Sequence, residues 1–223
     1  AVNASKNRLN FLEDRTAELE AENGLLKTKM ARTDCGIKNE PLTEAQVNDV
    51  RKQQQNTLFS YIRAYNEADA ATFESSASEI WTSEAEILYG TSAACVAGLA
   101  AIVASKKSSA NVFAKYEIKE YTVQWKHNST DKCLVTWQVQ VSVKQDAAKN
   151  VPLTAPFADL APYFGADEVL SFQMTSHITF IEGKIVEEIR QLDLSPLCGK
   201  VLEQFAEDPE KAADVLRCLM VAA

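Results

Sequence analysis

Among the carboxylates of one alternating segment near the end of this chain, Glu187 and Asp193 stand out. Both are candidates for a general acid or base, because a carboxyl group in a partly dry site can trade a proton with a substrate near neutral pH. Their ordinary roles are a strand-end cap and a solvated surface charge. The only histidines are His127 and His177. His177 alternates with Gln173 and Thr175, which puts it on a polar strand face and makes it a surface or interface residue. His127 sits beside a turn and reads as solvated. Tyr61, Tyr65, Trp81, Tyr89 and Trp137 carry an aromatic body with a polar tip. Such residues line pockets and orient ligands through hydroxyl or indole donors, and core packing accounts for them equally well.

Other chemistries find little support. The five cysteines, Cys35, Cys95, Cys133, Cys198 and Cys218, are odd in number and widely spaced, with no CxxC. They read as reduced intracellular thiols, neither a disulfide framework nor a metal site. No GxSxG, HExxH, phosphate loop or dinucleotide fingerprint occurs, so neither a metal nor an organic cofactor is expected. A formal charge of −8 disfavours non-specific contact with nucleic acid or an anionic membrane. No apolar run reaches the roughly 18 residues needed to span a bilayer, and an intracellular location is expected.

The elements that must position these residues can be read from periodicity. Thr43 followed by Gln46 resembles a capping box, and a helix runs from there to about Glu67. Its apolar face is Val47, Val50, Leu58, Tyr61, Ile62 and Tyr65. After a break at 66–69, a second helix covers about 70–76. A strand over 80–89 precedes an alanine-rich helix over 96–107. Long strands are expected over 116–127, 133–144, 170–181 and 184–193, with Asn128-Ser129-Thr130-Asp131 and Glu182-Gly183 as turns. A proline-bearing insertion occupies 151–165, and helical segments close the chain from Leu197 to Met220, interrupted at Asp208-Pro209. The fold class is α+β, with the long strands in an antiparallel meander.

Alternation sorts the strand faces. Cys133, Val135, Trp137, Val139, Val141 and Val143 share an inward face, as do Leu170, Phe172, Met174, Ile178 and Phe180. The opposite faces carry Gln138, Gln140, Gln173, Thr175 and His177, uncharged and short, which suits contact with a second copy across the sheet. On these two strands the interior holds no acid or base beyond Cys133. The strand over 184–193 is ambiguous. Ile185 and Ile189 inward would bring Glu187, Gln191 and Asp193 with them, whereas Val186 and Leu192 inward would put those acids outside.

The first thirty-two residues carry a different pattern. Leu12, Leu19 and Leu26 are spaced by seven, and this register places Leu9, Thr16, Asn23 and Met30 at the alternate core position. A buried Asn meeting its twin specifies a parallel, in-register pair. The flanking residues pair Arg8 with Glu13, Arg15 with Glu20 and Glu22 with Lys27 across such a dimer, each worth about 0.5 kcal/mol. Gly24 weakens the helix by about 1 kcal/mol relative to Ala. Residues 33–42, with Gly36 and Pro41, read as a linker.

The stretch LNFLEDRTAELEAENGLLKTKM resembles the zipper of the basic-leucine-zipper transcription factors. That family places an Arg/Lys-rich helix before its first leucine; here Lys6 is the only basic residue before Arg8. DNA contact in the family's mode would need a basic region upstream of Ala1, and a nuclear location follows only in that case. The segments LFSYIRAYNEADAATFESSASEIWTSEAEILYG and HITFIEGKIVEEIRQLD resemble the SnoaL-like, nuclear-transport-factor-like superfamily across residues 43–194. That resemblance implies a curved antiparallel sheet forming a cone around a helix, with residues 195–223 as a helical extension.

Three functional readings compete. The first is a non-enzymatic homodimeric regulatory module, one following the basic region of a transcription regulator. The second is a SnoaL-like isomerase, dehydratase or cyclase acting on a small apolar molecule. The third is a scaffold subunit of a larger assembly. The unarmed strand faces and the zipper put the first ahead. For the zipper itself, Asn23→Leu is expected to raise thermal stability and shift a dimer toward higher oligomers, read by light scattering. An unchanged mass and melting temperature would remove Asn23 from the seam.

Overall fold

The computed structural model describes residues 42–67, 70–90, 94–127, 129–147, 155–165 and 167–222. The zipper expectation, with Leu9, Leu12, Thr16, Leu19, Asn23, Leu26 and Met30, lies outside them, as does the linker up to residue 41. The elements in chain order are α1 (Glu44–Glu67), α2 (Ala70–Ile80), β1 (Trp81–Tyr89), β2 (Cys95–Ala97), α3 (Leu99–Ser109), β3 (Phe113–Trp125) and β4 (Lys132–Val143). They continue with α4 (Ala155–Ala158), β5 (Leu170–Ile181), β6 (Lys184–Asp193), α5 (Ser195–Gln204) and α6 (Pro209–Ala222).

The strands form one six-stranded curved sheet in the order β2-β1-β6-β5-β4-β3. From β3 through β6 it is an antiparallel meander. The expectation of a wholly antiparallel sheet needs correction, because β1 runs parallel to β6. Each strand's own alternation shows which face is buried but carries no information on the direction of a partner a hundred residues away. Irregularities in β3 near Ile118 and in β6 at Val186 bend their strands, as an extra residue in a ladder does.

Helix α1 lies against the concave face. Its buried stripe is Gln54, Thr57, Leu58, Tyr61 and Ala64, at helical spacing. Val47 and Val50, expected on this stripe, are only partly covered. Polar residues take their place because they tie the helix to the strand ends. Gln54 Nε2 donates to the Thr130 carbonyl at 2.6 Å, and Thr57 Oγ1 donates to the Gly183 carbonyl at 2.6 Å. Gly183 has φ 79°, in the left-handed region the tight turn requires, and a Cβ there would stand 2.5 Å from the Gln53 side chain.

The Tyr65-Asn66 helix end has a specific job. Asn66 Nδ2 donates to the Ile118 carbonyl at 2.9 Å, and its Oδ1 accepts from the Ile118 N–H at 2.8 Å. The side chain thereby replaces a strand partner where the β3 ladder is irregular. The interior is aromatic: Tyr61 stacks on Trp137 at 5.0 Å between ring centroids and on Tyr65 at 4.7 Å. Such pairs add about 0.5–1.5 kcal/mol each beyond area burial.

The closing elements belong to the same core. Leu197, Val201, Val215 and Leu219 are buried, and Phe205 packs edge-on against Tyr163 and Phe164. From α4, Phe157 reaches Phe113 and Phe172, each at 5.3 Å. Asn66→Ala is expected to destabilise the fold by about 1–2 kcal/mol, since it removes both backbone mimics at once. Urea unfolding measures this, and a midpoint equal to wild type would deny Asn66 that role.

Candidate functional site

The inner end of the sheet holds a buried ion pair. Glu188 is 0% exposed and Arg190 is 7% exposed. Arg190 Nε donates to Glu188 Oε1 at 2.9 Å and Nη2 to Oε2 at 3.0 Å, a two-pronged contact. Glu188 Oε1 also accepts from Tyr61 at 3.1 Å and from Ser176 Oγ at 2.8 Å. Trp137 Nε1 in turn donates to Ser176 Oγ at 3.0 Å. With both oxygens engaged, Glu188 is a holder of Arg190 and is poorly placed to act as a base.

The other edge of the guanidinium faces tyrosines. Nη2 donates to the hydroxyls of Tyr61 at 2.9 Å and Tyr65 at 3.0 Å, and Nη1 donates to Tyr89 at 3.2 Å. That contact uses one of the two Nη1 hydrogens; no acceptor among the described residues takes the other. Burial opposes the Arg190 charge, but Glu188 and the tyrosines more than offset it, so its pKa stays well above its ordinary value. Burial likewise pushes Tyr61, Tyr65 and Tyr116 upward, with Arg190 partly countering it. These hydroxyls stay protonated; that of Tyr61 donates to Glu188, and that of Tyr65 accepts from Arg190 and keeps its own hydrogen free to donate.

Arg190 opens onto a cavity of about 90 Å³. Tyr65, Tyr89, Lys106 and Ser109 give it polar atoms, and Phe113, Tyr116, Phe157, Phe172, Met174 and Leu192 give it an apolar wall. One water needs roughly 10–15 Å³ of such space, so the cavity can hold several waters or a small ligand head. A cleft of about 550 Å³ adjoins it, sharing Tyr65, Lys106, Ser109, Phe113 and Tyr116. Lys106 stands at the junction. Its Nζ donates to the Tyr65 carbonyl at 3.2 Å and lies over the Tyr65 ring at 4.6 Å and the Tyr116 ring at 5.1 Å. Burial, and then the Arg190 charge, lower its pKa to about 8.

The residues expected from sequence divide between the inside and the outside of the cone. Tyr65 and Tyr89 line the cavity. Tyr61, Trp81 and Trp137 are brought to the same cluster but are buried behind it. Asp193 is exposed, and its Oδ1 accepts from the Ser195 N–H at 2.9 Å; the hydroxyl and N–H of Ser195 hold its pKa down. Glu187 accepts from Thr179 at 3.3 Å, on the outward face. Neither acid reaches the cavity. Gln138, Gln140, Gln173, Thr175 and His177 do share the outer face, with Gln138 opposite Gln173 and Leu134 opposite His177. Cys133 is buried, and burial, then Glu188, raise its thiol pKa to about 12.

Glu188, Arg190, Ser176 and Lys106 were not foreseen. For Glu188 and Arg190 the reason lies in β6, where local pattern left two alternations open and the one with Val186 and Leu192 inward is the one that carries both charges. Thr179 pairs with Glu187 but Phe180 pairs with Ile185, so Val186 is an extra residue and the alternation changes parity there. Ile185 points inward together with Glu188, Arg190 and Leu192, a set that neither simple alternation contains. A usable signal existed: Glu188 and Arg190 stand two apart with opposite charge, and Ser176 interrupts an otherwise apolar face.

No protein-family model matches the chain, and no curated protein matches it in sequence. Solved structures match it in fold. A phenazine biosynthesis-related protein from Pseudomonas aeruginosa aligns with a TM-score of 0.50 at 10% identity, over 70% of this chain and 90% of that one. A protein assigned as a polyketide cyclase from Xanthomonas campestris pv. campestris aligns at 0.51 and 9% identity, over 66% of this chain and 96% of that one. A protein assigned as a SnoaL-like polyketide cyclase from Jannaschia sp. CCS1 aligns at 0.46 and 14% identity, over 73% and 94%. The fold is that of the SnoaL-like cone, and at these identities the likeness establishes the fold alone.

The leading expectation, a non-enzymatic regulatory module of bZIP type, is corrected by these findings. It rested on an interior without ionisable groups, and β6 supplies that interior with Glu188 and Arg190. The likeness runs to proteins of the cyclase and isomerase fold. Nothing in the described residues supports transcription regulation or a nuclear location, and none of their helices is long and apolar enough to cross a membrane.

Glu188→Gln is expected to destabilise the protein by about 3–5 kcal/mol, because it strands the buried Arg190 charge. Adding Arg190→Met should recover part of the loss. Denaturant midpoints decide the matter, and a single-variant effect within error of wild type would show the pair to be solvated.

Proposed function

We propose that this domain is an enzyme of the isomerase, dehydratase or cyclase kind that moves a proton on a small, largely apolar carbonyl compound. The observation that carries the reading is the one Nη1 hydrogen of Arg190 that no acceptor among the described residues takes, on the wall of the same cavity as Lys106. A carbonyl oxygen in that cavity would meet Arg190 and the hydroxyls of Tyr65 and Tyr89. Donors already aimed at the place where negative charge develops stabilise an enolate more than its parent ketone. Glu188 holds them there and acts as a positioning residue.

Lys106 is the proton-transfer group of this reading. With a pKa near 8, about a tenth of it is neutral at pH 7, and that form can take a proton from the carbon beside the carbonyl. The ammonium it becomes returns the proton to a second position, which is an isomerisation, or supports loss of a leaving hydroxide, which is a dehydration. The apolar wall from Phe113 to Leu192 lowers the local dielectric and strengthens these charge interactions. The SnoaL-like fold and the cyclase assignments of proteins that share it agree with this class of reaction.

Deuterium exchange at the α-carbon of small ketones, followed by NMR, tests the reading. Exchange should exceed the buffer rate and rise with pH through about 8, because the base must be neutral. Lys106→Met should lower the enzyme-dependent rate about 10²–10⁴-fold. Equal exchange by the wild type, this variant and buffer alone would defeat the reading.

A further inference from the structure

We infer that Lys106 is an imine-forming lysine that binds small aldehydes and ketones covalently at the junction of the cleft and the inner cavity. The inference rests on the carbonyl reading above and goes beyond it, since a base needs no bond to carbon.

Two adjacent lysines on α3 have opposite surroundings. Lys107 is exposed and pairs with Glu74 at 2.7 Å. Lys106 is partly buried and, among the described residues, has no carboxylate at ion-pair distance. Its Nζ lies over the rings of Tyr65, Tyr116 and Phe73, the last at 5.8 Å. Arg190 places a second positive charge on the wall of the same cavity. A dry aromatic setting and a neighbouring cation are the two conditions that keep a lysine amine nucleophilic near neutral pH. The lowered pKa of Lys106 agrees with both.

The chemistry closes without any other reagent. The Nζ lone pair attacks the carbonyl carbon, a C–N bond forms, and the π pair moves to oxygen beside Arg190. The proton shed by nitrogen goes to that oxygen and gives a carbinolamine. The nitrogen pair then forms C=N as the hydroxyl takes a proton from solvent and leaves as water; the nitrogen keeps its remaining hydrogen, so the imine is positive. Hydrolysis reverses each step. Nothing is oxidised or reduced. The positive imine draws electrons from the α-carbon and weakens its C–H bond; while it stands, the nitrogen pair is in the C=N bond and the proton must pass to another acceptor such as water.

The test uses the full chain, butanal and butanone as probes, and cyanoborohydride to reduce any imine to a stable amine. Peptide mass spectrometry then locates the label. At pH 7, Lys106 should be modified at least about ten-fold faster than exposed Lys107 and Lys119, because burial and the Arg190 charge favour its neutral, nucleophilic amine. Its labelling should reach half-maximum near pH 8. Equal labelling of all three lysines would overturn the inference. Ketone α-proton exchange that depends on Lys106 but leaves no adduct on it would also overturn it, while keeping the base role. An adduct on Lys106 without exchange would support the imine and count against the catalytic reading.

Discussion

A carboxylate and a guanidinium removed together from water govern much of this molecule. Taking either ion into an apolar interior is unfavourable by several kcal/mol, and mutual attraction offsets this only when the remaining hydrogen-bonding positions are also filled. Glu188 and Arg190 meet that demand with Tyr61, Tyr65, Tyr89 and Ser176. The requirement reaches outward. Tyr61 and Tyr65 are one turn apart on α1, so the helix must lie in one rotational setting to present both hydroxyls. The contacts of Gln54 and Thr57 with the two turns hold that setting at the other end of the helix. Trp137 is fixed by its bond to Ser176 and by its stack on Tyr61. A core of hydrocarbon alone would tolerate sliding, and this one does not.

The same demand explains how the site relates to its surroundings. An arginine fully satisfied by its carboxylate would be structural. Here the fork toward Glu188 leaves the opposite edge facing tyrosine hydroxyls and open space. The charge is neutralised on one side and available on the other. Lys106, from a different element, faces that available side across a wall of aromatic rings. The polar groups converge from α1, β1, α3 and β6, so the site exists only when these elements are assembled.

Much of the architecture was legible from local pattern. The strands over 170–181 and 184–193 coincide with β5 and β6, because clean alternation and the Glu182-Gly183 turn leave little freedom. The end of α1 at about Glu67 was also visible, although the bonds of Asn66 to Ile118 were not. The chemistry was harder to read. Alternation assumes an unbroken ladder, and the extra residue at Val186 breaks it in the strand that carries the charges. Lys106 was hidden for another reason: its two neighbours in space, Tyr65 and Tyr116, come from distant segments, and an alanine-rich helix announces no site. The direction of β1 beside β6 was beyond any local rule. The heptad pattern of residues 1–32 lies outside the described residues.

The supernumerary Val186 has a consequence for how such a domain could change over generations. Ladder parity makes the interior a choice between two interleaved sets of side chains, and a single residue in one strand decides which set is shown. Were Val186 drawn into the ladder instead of looped out of it, the residues beyond it would turn Glu187, Ile189 and Gln191 inward in place of Glu188 and Arg190. The chemistry of the cone is thus set by where a strand carries its extra residue as well as by composition, so relatives with nearly the same amino acids could enclose quite different interiors.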